Sequence, residues 1–253
     1  MAAVNQIAID VRQKCYRGGG SQPRVALQDL RLSGRAGEFV CLFGPSGCGK
    51  TTVLNIAAGL DADFDGKVDL PTAEGRTTPV IGYVFQDPRL LPWRTVEENI
   101  RLAIDDASAA NGRIGSLLSA MGLDSHRRAY PGQLSLGLAR RVALARAFVV
   151  EPDLLLMDEP FASLDAPTAE RLRRLLIEIW SLRPTTVLFV THDLREAIHL
   201  ADRIVFLSAG PAHVIADIPI DLPRPRRGDA EVDAIRTHLL TDHGPELTQI
   251  LTS

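Results

Sequence analysis

Eight consecutive residues carry the densest chemistry in the chain: Gly44-Pro45-Ser46-Gly47-Cys48-Gly49-Lys50-Thr51. They satisfy G-x-x-x-x-G-K-[ST] at every position. An apolar run, Phe39-Val40-Cys41-Leu42-Phe43, precedes them, and a helix-type segment opening Thr52-Val53-Leu54 follows. Glycines at 44, 47 and 49 let main-chain N–H groups turn inward around phosphate oxygens, where a Cβ would clash. A helix beginning near Lys50 adds its unpaired N–H groups and the positive end of its dipole. Lys50 offers a full charge to the β- and γ-phosphates, and the Thr51 hydroxyl suits Mg²⁺. Pro45, Ser46, Cys48 and Thr52 complete the cradle by position. A glycine-rich turn before an ordinary helix would not require strand, loop, Lys-Thr pair and helix together. The pattern predicts a bound nucleoside triphosphate.

Other reactive side chains stand at the ends of strand-type segments. Asp153-Leu154-Leu155-Leu156-Met157 runs into Asp158-Glu159. Phosphoryl transfer to water needs Mg²⁺ held on phosphate oxygens and an oriented water in line with the leaving group. Asp158 suits the metal shell. Glu159, pointing differently, suits removal of a proton from the water. Alone, the two acids would equally fit a strand running into a solvated loop. Gln86 follows Ile81-Gly82-Tyr83-Val84-Phe85, and His192 follows Thr186-Val187-Leu188-Phe189-Val190-Thr191. Both lie where an open parallel sheet binds ligands. Gln86 can ligate Mg²⁺ or position water, and His192 can reach a γ-phosphate. An ordinary surface histidine is the competing reading of His192.

The segments that must position these groups alternate between strand and helix patterns. Ile7-Ala8-Ile9-Asp10-Val11 alternates like a strand with one wet face, and a return strand covers residues 25–32. Turn residues Gly18-Gly19-Gly20-Ser21 separate them, and residues 61–66 read as a turn. Tyr16 either stacks on a purine face or packs on the core as a strand-end aromatic. Residues 96–150 are helical in period, broken at Gly112, Gly122 and Pro131-Gly132. A helix over 168–182 puts Leu172, Leu175, Leu176 and Ile179 on one face. Strands follow at 204–207 and 214–216, then a tail whose prolines and arginines at 223–227 face solvent. Residues 229–252 fit one or two short helices. The expected fold is α/β: a P-loop NTPase core with a mainly parallel sheet, an N-terminal antiparallel β subdomain and an inserted helical subdomain. The core covers residues 5–222, with the helical insertion at about 88–150 and a tail at 223–253.

Composition narrows the partners. A net charge of −3 disfavours bulk nucleic-acid binding. No apolar run approaches the roughly 18–20 residues of a membrane span, and the N-terminus has no signal-peptide pattern. Membrane association is therefore expected only through a protein partner. Cys15, Cys41 and Cys48 show no metal-ligand spacing and fit a reducing compartment. Cys48, near a helix N-terminus, is expected to have a lowered thiol pKa and to be shielded by nucleotide.

Over residues 5–222 the chain resembles the ATP-binding subunits of ABC transporters. Residues 44–51 are similar to Walker A, 154–159 to Walker B with its catalytic glutamate, and Gln86 to the Q-loop. Ser163-Leu164-Asp165 is similar to the D-loop and His192 to the switch histidine. The resemblance implies that Tyr16 stacks on adenine and that Lys50, Glu159 and His192 are catalytic. It implies that Thr51, Gln86 and Asp158 serve the metal. It further implies that two copies close head to tail over two MgATP, one copy offering Ser135, Gly137 and Asp165 to the other's nucleotide. Residues 82–86, 90–99 and 218–226 resemble the nitrate/sulfonate/taurine importer subfamily. That narrower likeness implies a peripheral location on the cytoplasmic face of the cell membrane, transmembrane permease subunits, an external solute-binding protein, and Trp93 near the permease groove.

The signature segment departs from the family pattern Leu-Ser-Gly-Gly-Gln, reading Leu134-Ser135-Leu136-Gly137-Leu138. Leu136 puts a branched side chain where the family has glycine, and Leu138 replaces an amide with an apolar group. An ATP-hydrolysing subunit is favoured because Lys50, Asp158, Glu159 and His192 are intact. The alternative is a nucleotide-binding regulatory or partner subunit with weak ATPase activity. A cytosolic cassette for DNA repair or translation would carry a long coiled-coil insertion or a second phosphate loop, and neither is present.

Overall fold

Strands and helices alternate through most of the chain, as the hydrophobic periods predict. In the computed structural model, residues 6–17, 23–105, 112–222 and 228–241 are described. The strands are β1 (Gln6–Tyr16), β2 (Arg24–Arg35), β3 (Phe39–Phe43), β4 (Asp65–Asp69), β5 (Ile81–Val84), β6 (Leu154–Asp158), β7 (Thr186–Thr191), β8 (Arg203–Leu207) and β9 (Val214–Pro219). The α-helices are α1 (Lys50–Ala57), α2 (Val96–Arg101), α3 (Arg113–Ala120), α4 (Leu136–Phe148), α5 (Ala166–Leu182), α6 (Leu194–Leu200) and α7 (Asp229–Thr241). The turn expected at 18–21 and the arginine run at 223–227 lie outside the described residues, as do 242–252 of the tail.

The chain divides into two units, Met1–Thr77 with Thr186–Ser253, and Thr78–Thr185. In the first, β2, β1 and β4 form an antiparallel sheet in that order. Residues 61–66, read as a turn, lead directly into β4, because β1 offers an edge with which 65–69 can pair. Beside this sheet, β3 pairs in parallel with β7 on one side and β8 on the other, and β9 closes the edge antiparallel to β8. All five residues of β3 and all six of β7 are buried, which explains their unbroken apolar sequences. Edge-to-face rings bind neighbouring strands: Phe39 on Phe189 at 5.4 Å and Phe43 on Phe206 at 5.5 Å. Each such ring contributes roughly 2–3 kcal/mol by leaving water. Arg203 joins β8 to its surroundings through Glu38 at 3.0 Å and through Asp217 and the Ser33 carbonyl.

In the second unit β5 and β6 pair in parallel, and β6 is buried throughout. Helix α5 buries Ala169, Leu172, Leu176 and Ile179, while Leu175, expected on that face, is half-buried beside it. Thr95 and Glu98 form a reciprocal capping box at the start of α2. Next to it, buried Asn99 accepts from the Leu91 N–H at 2.7 Å and donates to the carbonyls of Leu91, Arg94 and Thr95. One amide thus ties down the loop that displays Trp93, which is 68% exposed.

Gly66 shows how tightly the antiparallel sheet is drawn together. Its φ is +152°, and a Cβ there would lie 2.0 Å from the Asp10 carbonyl oxygen of the neighbouring strand. Gly75 also has positive φ, at +82°, but no neighbour within 4 Å of a Cβ. Gly75→Ala is expected to cost about 1 kcal/mol, the backbone cost alone. Gly66→Ala should cost at least about 3 kcal/mol, because the strands must separate. Urea unfolding of both variants checks this; equal losses would contradict the clash.

Candidate nucleotide site

In the first unit, β3 delivers the chain to a loop that its glycines keep narrow. Gly47 takes φ +74° and Gly49 φ +124°. A Cβ on Gly49 would lie 2.8 Å from Leu27 Cδ2, and one on Gly44 would lie 3.1 Å from both Cys48 Sγ and the Leu207 carbonyl oxygen. Helix α1 begins at Lys50 and is preceded by Gly49, which brings no side chain to cap its N-terminal N–H groups. Lys50 is only 6% exposed and donates to the carbonyls of Gly44 at 2.7 Å and Pro45 at 2.9 Å. Its charge is thereby held inside the loop. Ser46 and Thr51 occupy the loop and the first turn of α1 as expected.

His192 is placed by strand register. Phe43 stands opposite Thr191 in the parallel pair, so Gly44 and His192 leave the sheet at the same level. The turn after β7 is locked. Thr191 Oγ1 donates to Glu196 at 2.7 Å and accepts from the Asp193 N–H at 3.0 Å, while Asp193 caps α6. The Tyr16 hydroxyl lies 3.2 Å from Thr52 Oγ1 in the first turn of α1. Tyr16 remains 42% exposed, so the core-packing alternative does not describe it.

In the second unit the same device brings Gln86 and Glu159 together. Val84 pairs with Met157, and two residues further on the Gln86 amide donates to Glu159 at 3.4 Å. Glu159 takes φ +43°, outside the usual range for a non-glycine residue, which turns the chain sharply after Asp158. Asp158 is 6% exposed at the end of β6. Tyr83, on β5, has its hydroxyl pKa pushed well up by burial and then by the Asp158 charge.

Ser135 caps α4, accepting from the Leu138 N–H at 3.3 Å, and Asp165 caps α5, accepting from the Thr168 N–H at 2.9 Å. A Cβ on Gly137 would lie 2.7 Å from Thr168 Cγ2, so the starts of these two helices are packed together. Leu136 is the first residue of α4 and 41% exposed. Its backbone is helical, and the fold accepts a leucine there without strain.

Sequence reasoning missed the anchor of this unit. Arg140 is 4% exposed, and its guanidinium donates to the carbonyls of Phe85, Gln86 and Ala162. Two turns on, Arg146 donates to the carbonyls of Pro88 and Arg89. Burial lowers the pKa of both. Two charged forks on α4 therefore hold the segment that carries Gln86 and the segment that leads to Asp165. The signal in the sequence was Arg140 and Arg146 within an apolar helix, where an arginine needs several acceptors.

Among the described residues, no group of three or more His, Cys, Asp or Glu side chains could hold a metal ion. Each unit carries oxygen donors of the kind Mg²⁺ takes: the Thr51 hydroxyl in the first, and the buried Asp158 carboxylate and the Gln86 amide in the second. Among the described residues, no helix is long and apolar enough to cross a membrane.

A glycine-narrowed loop that joins a buried strand to a helix N-terminus and encloses a lysine is the arrangement of a P-loop nucleotide-binding protein. The sequence profile of the family described as ABC transporter matches residues 27–162, and the chain belongs to that family. It is 41% identical over 239 residues to the aliphatic sulfonates import ATP-binding protein SsuB of Bacillus licheniformis, covering 93% of each chain. The protein of the same name in Bacillus subtilis is 40% identical, again over 93% of each chain. SsuB 1 of Pseudomonas savastanoi pv. phaseolicola is 41% identical over 92% of this chain and 94% of its own. Among solved structures, the dimeric bacterial ABC transporter cassette MJ0796 superposes with a TM-score of 0.73 at 30% identity, covering 86% of this chain and 100% of that one. Its post-hydrolysis dimer bound to ADP and Pi gives 0.72 at the same identity and coverage. The fold is that of an ABC ATPase cassette, an α/β P-loop NTPase with a mostly parallel sheet and a separate antiparallel one.

The expectation for Cys48 is corrected. Its thiol is 3% exposed, and burial raises its pKa, with Lys50 and nearby backbone N–H groups offsetting only part of the rise. Position near a helix N-terminus loses here to desolvation. Iodoacetamide should label Cys48 of the native protein at least about tenfold more slowly than of the urea-unfolded chain, with or without MgATP. Fast labelling of nucleotide-free native protein, followed by peptide mass spectrometry, would contradict the burial.

Proposed function

We propose that this chain is the ATP-hydrolysing subunit of an ABC importer and that it powers uptake of a small solute of the aliphatic sulfonate class. The observation that carries the ATPase reading is the Lys50 ammonium, fixed among loop carbonyls inside a loop whose glycines keep main-chain N–H groups accessible. The solute class rests on the names of the SsuB relatives.

In this reading Gly44, Pro45, Ser46, Gly47, Cys48, Gly49, Lys50, Thr51 and Thr52 bind the phosphates, and Tyr16 stacks on the base. Thr51, Gln86 and Asp158 would hold Mg²⁺, which would supply neutralisation of the triphosphate charge. Glu159 accepts the proton of the attacking water. The Gln86 amide donates to the Glu159 carboxylate and helps to aim it. His192 donates to the γ-phosphate. Ser135, Gly137 and Asp165 serve the nucleotide of a second copy, with Ser135 and Asp165 already drawn toward their own helix N-termini. The working form is a homodimer on the cytoplasmic face of the membrane, docked on transmembrane permease subunits that an external solute-binding protein supplies. Exposed Trp93, on its Asn99-braced loop, belongs to the permease-facing surface.

Removing the general base while keeping the shape of its side chain isolates the chemical step. Glu159→Gln is expected to lower ATP turnover by a factor of at least about 100 and to accumulate a nucleotide-bound dimer. Phosphate release and size-exclusion chromatography with MgATP read both. Unchanged phosphate release would remove Glu159 from its role.

A further inference from the structure

Tyr16 is gripped from three directions, and one grip is a buried cation. The Lys14 ammonium lies 4.7 Å from the centroid of the Tyr16 ring. Lys14 is 3% exposed, which is rare for a lysine unless it is paired. Its partners are close: Asp61 Oδ1 at 2.7 Å, the Asp63 carbonyl at 2.6 Å and the Asp63 carboxylate at 3.7 Å. The hydroxyl of Tyr16 donates to Asp61 Oδ2 at 3.2 Å and can accept from Thr52 Oγ1 at 3.2 Å, which satisfies every hydrogen in the chain Thr52–Tyr16–Asp61. A register shift in the β1–β2 pairing falls between Lys14 and Cys15, and such bulges re-aim side chains.

We propose that Lys14 is a positioning residue for the nucleotide base: it closes one face of the Tyr16 ring and fixes its plane, leaving the opposite face as the stacking platform. This deepens the reading of Tyr16 given above and rests on it. The ring is tied at its hydroxyl to the residue next to Thr51, so the height of the base above the phosphate loop is set before nucleotide arrives. Preorganisation of this kind removes ordering cost from binding. The cation also draws electron density from the ring face it covers, which favours stacking of an electron-rich purine on the other. Burial alone pulls the Lys14 pKa down, but Asp61 and Asp63 outweigh it and the net shift is upward, so the cation persists through the physiological range.

The test compares a ligand that has a base with one that has only phosphates. Affinities for MgADP and for magnesium tripolyphosphate are measured by calorimetry on the full chain, for wild type, Lys14→Met, Lys14→Arg and Tyr16→Ala. Lys14→Met is expected to weaken MgADP by about fivefold and leave tripolyphosphate unchanged, with Lys14→Arg restoring most of the loss. Equal weakening of both ligands in Lys14→Met would make Lys14 a prop for the loop as a whole and overturn the proposal. So would an effect of Tyr16→Ala on MgADP with none from Lys14→Met. If Tyr16→Ala leaves MgADP binding intact, the stacking reading itself fails, and the role of Lys14 with it.

Discussion

Parallel strand pairing in fixed register is the constraint on which the rest depends. In a parallel pair, residues that stand opposite each other leave the sheet at the same level, so the loops they feed begin level as well. The Phe43–Thr191 pairing does this for Gly44 and His192, and the Val84–Met157 pairing does it for Gln86 and Glu159. Close packing holds the registers: β3, β6 and β7 are buried throughout, and a slip would break fitted contacts such as Phe39 on Phe189 and Phe43 on Phe206. The chemistry therefore needs no long-range fine-tuning within either unit. It inherits its placement from strands whose only requirement is to be apolar and in step.

Loops beyond the strand ends are less self-determining, and the protein spends buried charge to fix them. Lys50 is held by two carbonyls of its own loop, and Arg140 and Arg146 gather five carbonyls of the segments around Gln86 and before Asp165. Lys14 does the same for the turn after α1 through Asp61 and Asp63. Removing a carbonyl from water is costly unless a donor replaces the lost hydrogen bonds, and a cation replaces several at once. Sterics set the remaining limits. Gly49 and Gly137 stand where a Cβ would meet Leu27 and Thr168, so the phosphate loop and the start of α4 can pack no other way.

Much of this was legible in the amino-acid sequence. The phosphate loop, the acids at the end of β6, and Gln86 and His192 were readable because each is polar and ends or follows an apolar strand segment. Strand β4 is not legible because Asp65-Gly66-Lys67-Val68-Asp69 is polar: its first two residues fall within the turn expected at 61–66, and only pairing with β1 makes the segment a strand. Cys48 was misjudged because sequence gives proximity to a helix N-terminus but not the burial that outweighs it. Arg140 and Asn99 escaped notice because their partners are mostly backbone carbonyls, which every residue has and no sequence pattern marks; Lys14 escaped because Asp61 and Asp63 lie 47 or more residues away in the chain. The altered signature segment was legible as a departure, and the structure shows that Leu136 sits in a regular helix, exposed, with Ser135 capping that helix and Gly137 packed close to Thr168.

The central claim is that a ring of main-chain amides and the single Lys50 charge hold the triphosphate. Calorimetric titration of MgATP into the purified wild-type chain and into Lys50→Ala tests it most directly. Saturable one-to-one binding to wild type, weakened at least about tenfold by Lys50→Ala, is the predicted result. Equal affinity in the two proteins, or no binding to either, would contradict the account.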